Sequence, residues 1–175
     1  MDLGSEVSSF LDGLMHFLQS SANDPLAFSL IFLFYTILAT VFLPIPVEVG
    51  LFFSPATPVA VKILVMGLGK MIGSMLVFYI GLKLGDKVRT WTKWRWFNAL
   101  VRGCEWMVFK FHYVGLYLVL SVPLMIDTVP LYIFSVFNEE GVMQGRWFAI
   151  TSFLAGVTRG LIVFLVFEAL GIKLI

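Results

Sequence analysis

From Leu26 to Leu43 the chain carries no charged side chain, and its first lysine or arginine is Lys62. Further apolar stretches follow at 59–84, 112–137 and 147–171. The chain has 175 residues, of which 59% are hydrophobic and 13% charged, with a mean hydropathy of +0.95. One water-soluble core of this size cannot bury that much apolar surface. The solvent that fits is a bilayer, and in hydrocarbon a spanning segment must satisfy its own backbone groups, so these runs are expected to be helices. A soluble globular protein, a disordered tail and a nucleic-acid binder are excluded.

The four runs differ in kind. Leu26–Leu43 is capped by Asn23–Asp24–Pro25 and ends in Pro44–Ile45–Pro46–Val47–Glu48, where the prolines deny the backbone its regular hydrogen bonds. The next apolar piece, Val49–Phe53, is too short to span. The two together predict a re-entrant hairpin with its tip near Pro44–Glu48. Val59–Leu84 predicts a full span. Its Gly69–Gly73 and Gly81–Gly85 pairs have the small-xxx-small spacing that lets helices approach closely. Residues 112–137 are broken by Ser121, Pro123, Asp127 and Pro130, which predicts a second re-entrant hairpin with its tip near Pro123–Pro130. A polar turn, Asn138–Glu139–Glu140–Gly141, precedes the last span, Trp147–Gly171, which carries Gly156 and Gly160.

Two stretches read as interfacial. Residues 1–24 place Val7, Phe10, Leu11, Leu14, Phe17 and Leu18 at helical spacing opposite acids. Residues 86–111 place Trp91, Trp94, Phe97, Val101, Cys104, Val108 and Phe111 every three or four residues. Between 83 and 110, seven cations face two acids, which predicts a basic amphipathic helix on the cytoplasmic face, bound to anionic lipid. No basic region precedes the first apolar stretch, so no cleavable signal is expected. The expected fold is thus an all-α integral membrane protein of one domain. Two inverted repeats, 26–84 and 112–171, each combine a broken hairpin with a glycine-rich span, and both termini lie outside. A reading in which every apolar run crosses fully changes the count and the orientation.

Charges inside these runs are costly, about 2.5–3.5 kcal/mol each at the centre of a lipid-facing helix. Glu48 and Asp127 fall at the two expected hairpin tips, and Lys70 and Arg159 near the middles of the two spans. Each half therefore offers one acid on broken backbone and one base on a regular helix. They either pair to hold the hairpins in place or line a pathway for a headgroup or a proton. Lys62 and Glu168 lie nearer the ends and are expected to snorkel. The single cysteine and two histidines have no metal-ligand spacing, and no serine has a nucleophile's partners, so neither an enzyme nor a metal or cofactor site is expected.

The stretch Phe42–Leu–Pro–Ile–Pro–Val–Glu48, followed by Gly69–Lys–Met–Ile–Gly73 and Tyr79–Ile–Gly81–Leu–Lys–Leu–Gly85, resembles the DedA family, whose core is the VTT or SNARE-associated Golgi domain. The Pro123…Pro130 spacing and Gly156 fit the same pattern, and the resemblance covers about residues 26–171. It implies two opposed re-entrant hairpins, transport or scrambling of phospholipids or polyprenyl-phosphate carriers, and proton coupling, with Glu48 on the first-hairpin acid. The chain departs from the family where bacterial members carry arginines around the second-hairpin proline: the comparable positions are Leu120 and Ile126, and an earlier acid is replaced near Thr36. It reads as a divergent member in which Lys70 and Arg159 supply the positive charge for an anionic headgroup. The expected setting is a prokaryotic cell membrane, crossed several times, with lipid as substrate. The alternatives are a small-solute or ion transporter and a non-transporting scaffold. The glycine pairs pack either within the chain or between copies in a homo-oligomer.

Overall fold

Asp24 caps the first of the helices. Its carboxylate accepts from the amides of Leu26 (3.0 Å) and Ala27 (3.4 Å), and Pro25, which has no amide hydrogen to lose, takes the first helical position. A computed structural model describes residues 13, 16, 24–42, 45–90, 106, 110–138 and 143–170, without the side chains of 86–90. Pro44, Glu139–Gly141, most of the two expected interfacial helices at 1–24 and 86–111, and the last residues of the chain lie outside the described residues. All regular structure among the described residues is helical. We label the helices α1 (Pro25–Val41), α2 (Val59–Thr90), α3 (110–121), α4 (Thr128–Val136) and α5 (Gly145–Ala169), with a 3-10 helix at Val47–Phe52 between α1 and α2.

Among the described residues, two segments, Val59–Gly85 and Gly145–Ala169, are long and apolar enough to cross a membrane. At 1.5 Å per residue they reach about 40 Å and 37 Å, beyond the ~30 Å hydrocarbon layer. Their outer faces carry exposed Leu64, Leu68, Ile72 and Leu76 on α2 and Leu154, Leu161 and Leu165 on α5. A helix in water would place polar side chains there; apolar outer faces on helices of this length fit a lipid surround.

Close contacts at the glycines give the helix directions. Gly69 lies against Thr36 and Gly73 against Thr40, and a methyl group on either glycine would fall 2.6 and 2.8 Å from the Cβ of its neighbour. Both contacts advance together, so α1 and α2 run parallel. The chain must therefore double back between them, and it does so along α1. Tyr35 Oη donates to the Pro46 carbonyl (3.4 Å), Gly50 packs on the Phe32 ring, and Lys62 Nζ, at the start of α2, donates to the Leu51 carbonyl (3.2 Å) and lies 5.9 Å over Phe28.

Gly115 of α3 approaches Phe134 of α4. Tyr113 Oη accepts from the Gln144 amide (2.6 Å), and Tyr117 Oη is 2.8 Å from Thr158 Oγ1, so α3 and α5 advance together. The break between α3 and α4 spans 122–127, narrower than the Pro123–Pro130 spacing suggests. Pro130 sits buried in the first turn of α4, where a proline costs no intrahelical hydrogen bond. α5 packs against α2 in the opposite sense: Gly145 lies beside Phe78, Gly156 beside Gly67, and Gly160 beside Ile63. Gly81 and Gly85 seat α4, against Ser135 and Val136. All six glycines of the small-xxx-small pairs therefore pack within the chain.

Two apolar cores result. One gathers Val77, Phe78, Leu116, Phe134 and Phe148; the other gathers Phe28, Phe32, Tyr35, Met66 and Val163. On α2 the first core begins at Val77 and the second ends at Met66. On α5 the first ends at Ala155 and the second begins at Val163. Lys70 and Arg159 fall in the intervals between them.

Candidate functional site

The interval between the cores is filled with charge. Glu48 and Arg159 are 0% exposed, Lys70 is 1% and Asp127 is 4%. Each comes from a different element, and the fold brings all four together. Arg159 Nη1 donates to Asp127 Oδ1 at 2.6 Å, and Arg159 Nε pairs with Glu48 Oε1. Lys70 Nζ lies 3.0 Å from the other Asp127 oxygen, Oδ2. Two carboxylates and two cations thus balance, with Asp127 bridging both bases and Arg159 bridging both acids. Burial of this kind is tolerated only where every charge has a partner.

Each side chain is placed by a local feature of its element. Lys70 can lie flat between α2 and α5 because the residue opposite is Gly156: a methyl group there would come within 2.8 Å of Lys70 Cδ and 3.2 Å of Gly67 Cα. Asp127 occupies the N-cap position of α4 yet makes no capping hydrogen bond, because its oxygens are turned to Lys70 and Arg159. Glu48 sits in the first turn of the 3-10 helix, just after the Pro46 cap. Arg159 lies three residues from Gly156 on the same helix.

The break at 122–127 contributes main-chain groups. Leu124 adopts φ 60°, a left-handed conformation that costs a leucine about 1–2 kcal/mol. In that conformation its amide donates to Glu48 Oε1 at 3.3 Å. Arg159 Nη2 donates to the Met125 carbonyl at 2.5 Å. Thr128 Oγ1 ties the start of α4 to the Ala39 carbonyl of α1 at 3.2 Å. The strained backbone and the charge cluster therefore belong to one unit.

Satisfaction is incomplete. Lys70 Nζ and Asp127 Oδ2 are within ion-pair distance but not aligned as a hydrogen bond, and the same holds for Arg159 Nε with Glu48. Glu48 Oε2 is buried with no hydrogen-bond partner among the described residues. An ionised carboxylate oxygen can accept two hydrogen bonds, so Glu48 Oε2 has capacity for a further donor.

The expectation for Lys62 is corrected. Rather than snorkelling, it is 1% exposed, its ammonium turned inward to Leu51. The inward route exists because the 3-10 helix leaves carbonyls unpaired by an α-helical ladder. Glu168 is exposed near the end of α5. The main-chain roles of Leu124 and Met125 leave no signature in side-chain chemistry, and Gly67 was one glycine among several in its span.

No protein-family model, curated protein or solved structure matches this chain.

Proposed function

We propose that this chain is a membrane lipid transporter of the flippase or scramblase type, a divergent DedA-like protein whose charge cluster meets a phospholipid or polyprenyl-phosphate headgroup in mid-membrane. The observation that carries the reading is the layer of four buried charges between two apolar cores, with Glu48 Oε2 left without a hydrogen bond. Intramembrane ionisable groups are rare and mark substrate or ion pathways. Both bases sit near the middles of the two spans, where a headgroup in transit meets its highest barrier.

On this reading α1 with the 3-10 helix, and α3 with α4, are two re-entrant hairpins that enter from opposite faces. Support comes from the parallel course of α1 with α2 and of α3 with α5, while α2 and α5 run oppositely. That is the geometry of inverted repeats, in which alternating access is a rocking of one repeat against the other. The closed cluster is the occluded state. Opening separates Arg159 from Glu48, Arg159 and Lys70 take the headgroup phosphate, and Glu48 and Asp127 accept protons in exchange.

The test is lipid movement in proteoliposomes, followed by dithionite quenching of a fluorescent phospholipid. Wild-type protein accelerates quenching of the inner leaflet, and Glu48→Gln and Arg159→Ala each slow it at least tenfold. Wild-type rates in both variants would sink the site assignment. A flux of protons or small ions without lipid movement points instead to a solute transporter.

A second reading is favoured by the near-complete pairing of the cluster: a non-transporting scaffold whose ion pairs only hold the hairpins. It predicts no flux of any kind, and recovery of folding when Glu48 and Arg159 exchange places.

A further inference from the structure

A groove of about 520 Å³ lies on the outer face between α2 and α5, lined by Ile72, Met75, Leu76 and Ile150, with Tyr79 and Arg146 at one end. Its size is within the range of ligand pockets, roughly 300–1,000 Å³. None of the four cluster charges lines it. Because it runs along the outward faces of two helices of spanning length, the molecules in contact with it in a bilayer are lipids.

Charge lies next to one end of the groove. Arg146 is exposed and makes no ion pair among the described residues. It occupies the first turn of α5, whose N-cap Gln144 makes no side-chain capping hydrogen bond. Exposed Lys83 lies toward the same end of α2, and exposed Trp147, a residue type that favours the headgroup level, adjoins Arg146. An apolar trough whose end adjoins an exposed cation, unpaired among the described residues, complements an acyl chain that carries a negatively charged head.

We infer that this groove binds one anionic phospholipid, its phosphate against Arg146 and the first turn of α5 and one acyl chain along Ile72, Leu76 and Ile150. The cation-rich 83–110 stretch puts this end at the cytoplasmic leaflet, where anionic lipid is concentrated. The site is separate from the mid-membrane cluster and does not depend on the transport reading. A scaffold and a transporter would hold this lipid alike.

The experiment is native mass spectrometry of the full chain in detergent micelles, titrated with phosphatidylglycerol or with phosphatidylcholine of the same acyl composition. Wild-type protein retains a single phosphatidylglycerol, at about fivefold lower lipid concentration than phosphatidylcholine, the ratio that one surface cation confers. Arg146→Gln abolishes that preference. Ile150→Trp, at an exposed position in the groove, weakens retention of both lipids, whereas Leu161→Trp, exposed on α5 but not in the groove, leaves both unchanged. Excess inorganic phosphate does not displace the lipid. An unchanged preference in Arg146→Gln, full retention in Ile150→Trp, or displacement by phosphate alone would each overturn the assignment. Unaltered elution in size exclusion shows that the variants are folded.

Discussion

Replacing Arg159 with methionine keeps the volume of the side chain and removes its charge. The guanidinium is wholly buried, and it holds Glu48, Asp127 Oδ1 at 2.6 Å and the Met125 carbonyl at 2.5 Å. In the variant two carboxylates share one lysine. Lys70 remains with Asp127 at 3.0 Å, while Glu48 retains only the Leu124 amide at 3.3 Å. Breaking a buried pair from one side costs about 3–5 kcal/mol, because the surviving charge is left uncompensated. A domain is stable by about 5–15 kcal/mol in total, so the loss is a large share of the whole. Adding Glu48→Gln removes the orphaned charge, and the double variant is expected within about 2 kcal/mol of wild type, with a coupling of at least about 1 kcal/mol between the sites. The assay is reversible unfolding in mixed micelles titrated with sodium dodecyl sulfate and followed by far-ultraviolet circular dichroism. The reasoning is refuted if Arg159→Met is as stable as wild type, or if the double variant is as unstable as the sum of the two singles.

Four other outcomes are expected. Gly156→Ala drives a methyl group to 2.8 Å from Lys70 Cδ and destabilises by about 1–3 kcal/mol, whereas Gly13→Ala, which meets nothing within 4 Å, is neutral or stabilises by up to about 1 kcal/mol; thermal unfolding in detergent compares them. Asp24→Ala loses the two capping hydrogen bonds of α1 and about 1 kcal/mol in the same measurement. An amine-reactive reagent followed by peptide mass mapping labels exposed Lys83 and spares buried Lys62; equal labelling would show that Lys62 reaches the surface instead of Leu51. With Cys104 changed to serine, Pro55→Cys and Gln144→Cys, both exposed, are expected to react with an impermeant thiol reagent from opposite sides of the membrane, and reaction from one shared side would contradict the proposed inverted arrangement.

The helix sequence was largely readable from local pattern. The runs expected at 26–43, 59–84 and 147–171 correspond to Pro25–Val41, Val59–Thr90 and Gly145–Ala169. Asp24–Pro25 marks the start of α1, since a cap and a first-turn proline act over three or four residues. Where the sequence reading misplaced a feature, the deciding contact was distant. Pro130 reads as a break because proline breaks helices, but in a first turn the missing amide has no helical partner to lose. Lys62 reads as snorkelling because it stands near the end of a span, but the doubled-back 3-10 helix brings the Leu51 carbonyl to it.

The sequence by itself determined the solvent and the exceptions to it. Hydropathy and spacing are properties of neighbouring residues, so they identify the apolar runs, the broken stretches and the four charges that do not belong in them. Tertiary structure alone decided how those charges combine. Glu48 meets Leu124 and Arg159, and Lys70 meets Asp127, only because glycines at 67, 69, 73 and 156 bring α1, α2 and α5 close at one register. A shift of one residue along any helix turns its charge about 100° away. Which oxygen of Glu48 is left over therefore depends on packing across the whole fold, and that remainder is the feature on which the proposed chemistry rests.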